Sequence, residues 1–210
     1  GREDTLLARV RADQEVLKNA LIAAISQTHP ARPHDIDRDK FTSTREFLAG
    51  FGEIFTVNYD LLFYWARNQD NLPPPNYRTD DGFRQERVWH EYGTNQKIHF
   101  LHGGLHIYED DSTVKKLAHA HADVAIIDQV QGNLNLGKFP LFVSEPSADK
   151  KRKRIERNPY LNYCFRALRN TEGTMVVLGH SMDPNDQHIF EQIRASRVAN
   201  ALVSIHGDEN

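Results

Sequence analysis

The chain has 210 residues, a formal net charge of −3 and a single cysteine. That length suits one domain with a helical insertion and is enough to bury a core. The mild charge predicts neither a nucleic-acid nor a membrane partner; no apolar run reaches the ~18 residues of a membrane span, and no signal-peptide pattern follows Gly1.

Asp4 to Ser26 reads as an amphipathic helix, because Leu6, Leu7, Val10, Leu17, Leu21, Ala24 and Ile25 recur near the 3.6-residue period. Glu3 and Asp4 suit the positive end of its dipole. His29-Pro30-Ala31-Arg32-Pro33 stops it. Residues 1–34 are thus a helix and linker, and residues 41–210 form the α/β domain proper. Asp35 to Lys40 is a loop and Thr42 to Leu48 a short helix. Ile54 to Val57 is a buried strand that runs into Asn58-Tyr59-Asp60, and Leu61 to Arg67 is the next helix. Asn71-Leu72-Pro73-Pro74-Pro75 ends it, and Asn76 to Glu86 is loop-like.

Lys97 to Tyr108 reads as one strand kinked at Gly103-Gly104. Ser112 to Ala122 favours helix with Ser112 as its cap, and Asp123 to Val130 a further helix. Pro140 to Ser144 is a short strand. Lys150 to Arg169 is a long helix interrupted at Asn158-Pro159; it carries Cys164 in the apolar pattern of a core position. Thr174 to Leu178 is a strand, Asp186 to Ser196 a helix and Ala201 to His206 a last strand. Strands alternating with helices imply a mainly parallel sheet flanked by helices.

Three of these strands end on polar or small residues: Thr56-Val57-Asn58-Tyr59-Asp60, Leu101-His102-Gly103 and Leu178-Gly179-His180-Ser181. In open α/β sheets the carboxyl edge is where ligands bind. In this order the three motifs resemble those of the sirtuin-like (Sir2-like) superfamily. The similarity runs from about Phe47 to His206 and fits the bacterial members without a zinc module.

The resemblance implies a Rossmann-like fold and NAD as substrate, hydrolysed at the nicotinamide–ribose bond. It implies that Asn58 contacts the ribose and places water, and that His102 is the general base. Asp60 would hold the carboxamide, while Thr56, Gly103, Gly179 and Ser181 would complete the NAD site. It further implies a cytoplasmic role in bacterial antiphage defence under a regulatory protein partner or a homo-oligomer. With one cysteine, neither an internal disulfide nor a multi-cysteine zinc site is expected. The Gly-rich strand-turn that opens such domains, and cradles the dinucleotide phosphates, has no counterpart here.

Plainer roles compete for the same residues. Asn58 and Asp60 could cap the following helix, His102 could be a satisfied strand-end histidine, and Gly179 to Ser181 an ordinary turn. Asp186 reads as a helix cap beside Asp183 and His188. Tyr59, Phe63, Tyr64 and Trp65 read as core or cleft wall. His99, His102 and His106 could suggest a metal, but strand positions three apart face opposite sides, so no metal site is expected. Lys150-Lys151-Arg152-Lys153-Arg154 reads as a solvated helix face. Two rival readings follow: a sirtuin-like scaffold without turnover, and a nucleic-acid-associated component using residues 150–157.

Overall fold

Helix α1 (Arg2–Thr28) leads into a 3-10 turn (Pro33–Asp35), α2 (Arg38–Leu48) and the first strand, β1 (Glu53–Thr56). The computed structural model describes residues 2–90, 92–93, 95–117 and 125–205. Next come α3 (Leu62–Arg67), β2 (Thr79–Asp80), β3 (Gln96–Phe100), β4 (Gly103–Asp110) and β5 (Thr113–Lys116). After them follow α4 (Ile126–Asn135), β6 (Pro140–Phe142), α5 (Ala148–Arg157) and α6 (Pro159–Arg169). β7 (Glu172–Val177), α7 (Gln187–Arg194) and β8 (Arg197–Val203) complete the order. The fold is mixed α/β, and the described residues form three small sheets ordered β1-β3-β2, β5-β4-β6 and β7-β8. Strands β2 and β3 run parallel, as do β7 and β8, whereas β4 and β5 are antiparallel. No helix among the described residues is long and apolar enough to cross a membrane.

The chain divides into two compact units. The first comprises Gly1–Glu53, Asp60–Lys97 and Gly104–Leu141; the second comprises Ile54–Tyr59, Ile98–Gly103 and Phe142–Asn210. In the first unit, α1 packs on α4 and α2 on α3. Among the described side chains of α1, Ile25 is buried, while Leu6, Val10 and Leu17 are exposed. The side chains of Glu3, Asp4 and Leu7 lie outside the described set. This unit holds a buried ionic network. The Arg67 guanidinium donates to Asp81 at 2.5 Å and the Lys116 ammonium donates to the same carboxylate at 2.7 Å.

In the second unit, α5, α6 and α7 pack together. Asn158 caps α6, its Oδ1 accepting from the Leu161 amide at 2.9 Å, and Pro159 supplies the preset φ of a first helical residue. Tyr160, Leu161, Cys164, Phe165 and Leu168 all fall on the buried face, so the expected break at Asn158-Pro159 and the buried cysteine are both present.

Three sequence expectations are corrected. The helix expected from Ser112 is a strand over Thr113–Lys116, paired to β4 in the register Glu109↔Val114 and Asp110↔Thr113. The two-residue link Asp111-Ser112 is a tight hairpin, with Asp111 at φ 54°, a conformation aspartate tolerates. Residues 118–124, where that helix would have continued, lie outside the described set. The strand expected over 97–108 breaks into β3 and β4 at a Leu101-His102 turn, with Gly103 at φ 78°. Finally, the strands expected to lie side by side fall into two sheets, β1-β3 in one and β7-β8 in another. The β7-β8 pair leaves Leu178, Leu202, Val203 and Ile205 exposed.

Candidate functional site

The turn after β3 is the anchor of the candidate site. The Leu101 amide donates to the Thr56 carbonyl at 2.9 Å, and the Val143 amide donates to the His102 carbonyl at 3.1 Å. These bonds hold the His102 backbone between the end of β1 and the residue after β6. Tyr59 packs alongside, its hydroxyl donating to the Val143 carbonyl at 2.5 Å and its ring 6.3 Å from that of His102. Burial pushes the Tyr59 hydroxyl up to about 12, so it stays a neutral donor.

His102 itself points into a polar cluster built by α5, the loop after β7 and the start of α7. Its Nε2 lies 3.0 Å from Nε2 of His188, with the rings 18° from parallel. Asp186 Oδ1 stands 3.9 Å from His102 Nε2 and accepts from the Lys151 ammonium at 2.6 Å. The other carboxylate oxygen of Asp186 lies 3.6 Å from His180 Nε2. His102 and His188 are buried, with Phe165 against the His188 ring.

Burial first, and the neighbouring His188 second, hold His102 well below the ordinary imidazole range. Burial does the same to His188. Both rings are therefore neutral around pH 7, and one N–H can donate to the lone pair of the other. Burial works to raise Asp186, but the Lys151 hydrogen bond and the surrounding positive charge hold it below the usual carboxylate range. It is a carboxylate with a cation on one oxygen.

Among the residues singled out from sequence, Thr56 accepts the Asn58 amide on its hydroxyl at 3.1 Å, and Asn58 is exposed. Asp60 Oδ1 accepts from the Leu62 amide at 2.9 Å at the start of α3. Gly103 is buried at the head of β4. Gly179, at φ 62°, is exposed, and its amide donates to the Ser204 hydroxyl at 3.3 Å. Ser181 is exposed. The residue between them, His180, is the one that reaches Asp186.

Asp186 stands at the N-cap position of α7, but its side chain makes no capping hydrogen bond, so its expected role is corrected. Asp183 caps the 3-10 turn Pro184–Asp186 that precedes α7, accepting from the Asn185 amide at 2.7 Å. The basic run is corrected in part: Lys150 and Lys153 are exposed as expected, whereas Lys151 pairs with Asp186 and Arg152 with Glu191. His99 stacks on Phe55 at 4.6 Å in the second unit, and His106 on Tyr64 at 4.3 Å in the first.

Sequence reasoning missed His188, His180 and Lys151 as members of one cluster. The only local signal was the Asp-x-His spacing of Asp186 and His188 at a helix start. Three of the cluster's residues, His102, Asp186 and His188, each present one ligand atom within 4.8 Å of the others. The arrangement offers two neutral imidazoles and a carboxylate, which can hold a proton, polarise water or bind a cation. No curated protein matches the sequence. The model of the family described as "Domain of unknown function (DUF4917)" matches residues 3–210, so the chain belongs to that family.

Proposed function

We propose that the protein is a sirtuin-like, Rossmann-like NAD-binding domain that hydrolyses NAD at the nicotinamide–ribose bond. The observation that carries this reading is the adjacency of the β1 and β3 ends, tied by the Leu101–Thr56 hydrogen bond, with His102 in the turn. The third motif supports it through His180, which approaches Asp186 beside His102. In the proposed reaction the C1′–N bond breaks and nicotinamide leaves with the bonding pair, quenching its ring charge. Water forms the new C1′–O bond and gives its proton to His102. Asn58 orients ribose and water, Asp60 holds the carboxamide, and Thr56, Gly103, Gly179 and Ser181 line the NAD site. A cytoplasmic role in defence, under a regulatory partner or a homo-oligomer, belongs to the same proposal.

The scaffold reading has one observation in its favour: the Nε2 that would take the water proton faces His188 at 3.0 Å. The nucleic-acid reading loses ground, because Lys151 and Arg152 are engaged with carboxylates. The deciding assay is nicotinamide release from NAD by the intact protein, with and without cellular partners. Both His102→Ala and Asn58→Ala are expected to lower the rate by about 100-fold or more while remaining folded. Asp60→Asn is expected to lose less, because an amide still hydrogen-bonds the carboxamide. Equal rates for wild type and His102→Ala would end the catalytic reading in favour of the scaffold.

A further inference from the structure

The polar cluster of the second unit has a use that does not depend on NAD. We propose that His102, His188 and Asp186 form a binding site for one first-row divalent transition metal, of the zinc or cobalt class. In that state the ion replaces the direct His102–His188 hydrogen bond.

Geometry carries the case. Two imidazole nitrogens on a tetrahedral zinc, with Zn–N bonds of about 2.0–2.1 Å, stand roughly 3.3 Å apart. His102 Nε2 and His188 Nε2 are already 3.0 Å apart, so a shift of a few tenths of an ångström admits the ion. The Asp186 carboxylate lies within 4.8 Å of both ligand nitrogens and supplies the third bond. Two imidazoles and a carboxylate leave a fourth position open, the arrangement of many reactive zinc sites. This donor set favours zinc, cobalt, nickel or iron over magnesium or calcium, which take oxygen ligands.

The surroundings supply further support and one opposing charge. His180 Nε2 is buried, has no hydrogen-bond partner and sits 3.6 Å from the second Asp186 oxygen. It can orient the carboxylate from outside the ligand set or approach the fourth position. His188 Nδ1 is also buried and without a hydrogen-bond partner. Against the ion stands the Lys151 ammonium, 2.6 Å from Asp186 Oδ1. The lysine competes for the same carboxylate, so the site is one in which a fixed cation and a metal exclude each other in part. A bound ion would occupy the His102 lone pair and withdraw it from proton transfer.

The test uses the intact, tag-free protein stripped with chelator. Cobalt(II) is titrated and the visible d–d bands of a four-coordinate ion are followed; zinc is titrated by calorimetry. Wild type is expected to bind one ion per chain. His188→Ala and Asp186→Asn are each expected to weaken binding by at least about tenfold, with far-UV circular dichroism confirming the fold. Lys151→Gln is expected to bind more tightly than wild type, which a purely structural hydrogen-bond network would not do. If His188→Ala fails to fold, Asp186→Asn and Lys151→Gln still decide the matter by moving affinity in opposite directions. Absent bands and heat in wild type, or unchanged affinity in the folded variants, overturns the proposal. Nicotinamide release plays no part in this readout, so loss of the hydrolysis reading leaves it standing.

Discussion

At the scale of single residues, the buried ion pairs matter most. Asp81 is 3% exposed and shared by Arg67 and Lys116, with His106 also nearby. Burial works to raise its pKa, but the two cations overcome it and hold the carboxyl below its ordinary value. Such a group adds stability that is complete above the unfolded carboxylate pKa and is lost as pH falls through the lower folded value. Resistance to urea unfolding should therefore fall steadily as pH drops below about 4. Asp81→Asn should cost about 3–5 kcal/mol at pH 7 by stranding two buried cations, and should flatten the acid loss. The basic helix divides in the same way. Lys153 is exposed, so Lys153→Gln should change stability by no more than about 0.5 kcal/mol. The Lys151 side chain is only 12% exposed and holds Asp186, so Lys151→Gln should cost about 1–2 kcal/mol in the same melts. Equal effects from the two lysines would mean that the Lys151–Asp186 contact contributes nothing to stability.

At the scale of elements, short helices persist because neighbours complete their ends. Helix α3 spans only Leu62–Arg67, too short to hold itself together in water. Its entrance is fixed by Asp60 and by His29 Nε2, which accepts from the Leu61 amide at 2.9 Å. Its exit is fixed by Arg45, a buried residue of α2. The Arg45 guanidinium donates to the carbonyls of Ala66 and Arg67 at 3.1 Å, and to those of Pro73 and Leu72 beyond the helix. One planar fork thus serves the orphan carbonyls of a helix end and the chain that follows. Arg45→Ala should lower stability by about 2–4 kcal/mol, because several buried acceptors lose their donor together. Arg45→Lys should recover only part of this, since a single ammonium cannot span the same set. Chemical-denaturation midpoints of the two variants provide the check.

At the scale of the molecule, the sheets are small and unequally covered. A parallel pair is ordinarily buried on both faces, yet most of β8 is exposed and Leu202 retains 59% of its accessible surface. Within the second unit, Ile98 and Phe100 are buried almost completely. Chemistry concentrates in the second unit, where helices α5 and α7 bring Lys151, Asp186 and His188 to the turn that carries His102.

What the amino-acid order determined by itself was local. The Asn158-Pro159 boundary, the apolar face around Cys164 and the β7 strand follow from capping chemistry and periodicity, which act over a few residues. The choice between helix and hairpin at 113–116 did not, because Val114 is fixed by its partner Glu109 on β4 rather than by its own propensity. Nor did the site. His102 and His188 are 86 positions apart, and neither residue carries a mark of the other. Asp186 sits where a cap belongs and turns elsewhere because a half-buried lysine faces it. Burial then sets the protonation of both histidines, and burial is a property of packed helices. Only the tertiary structure could decide it.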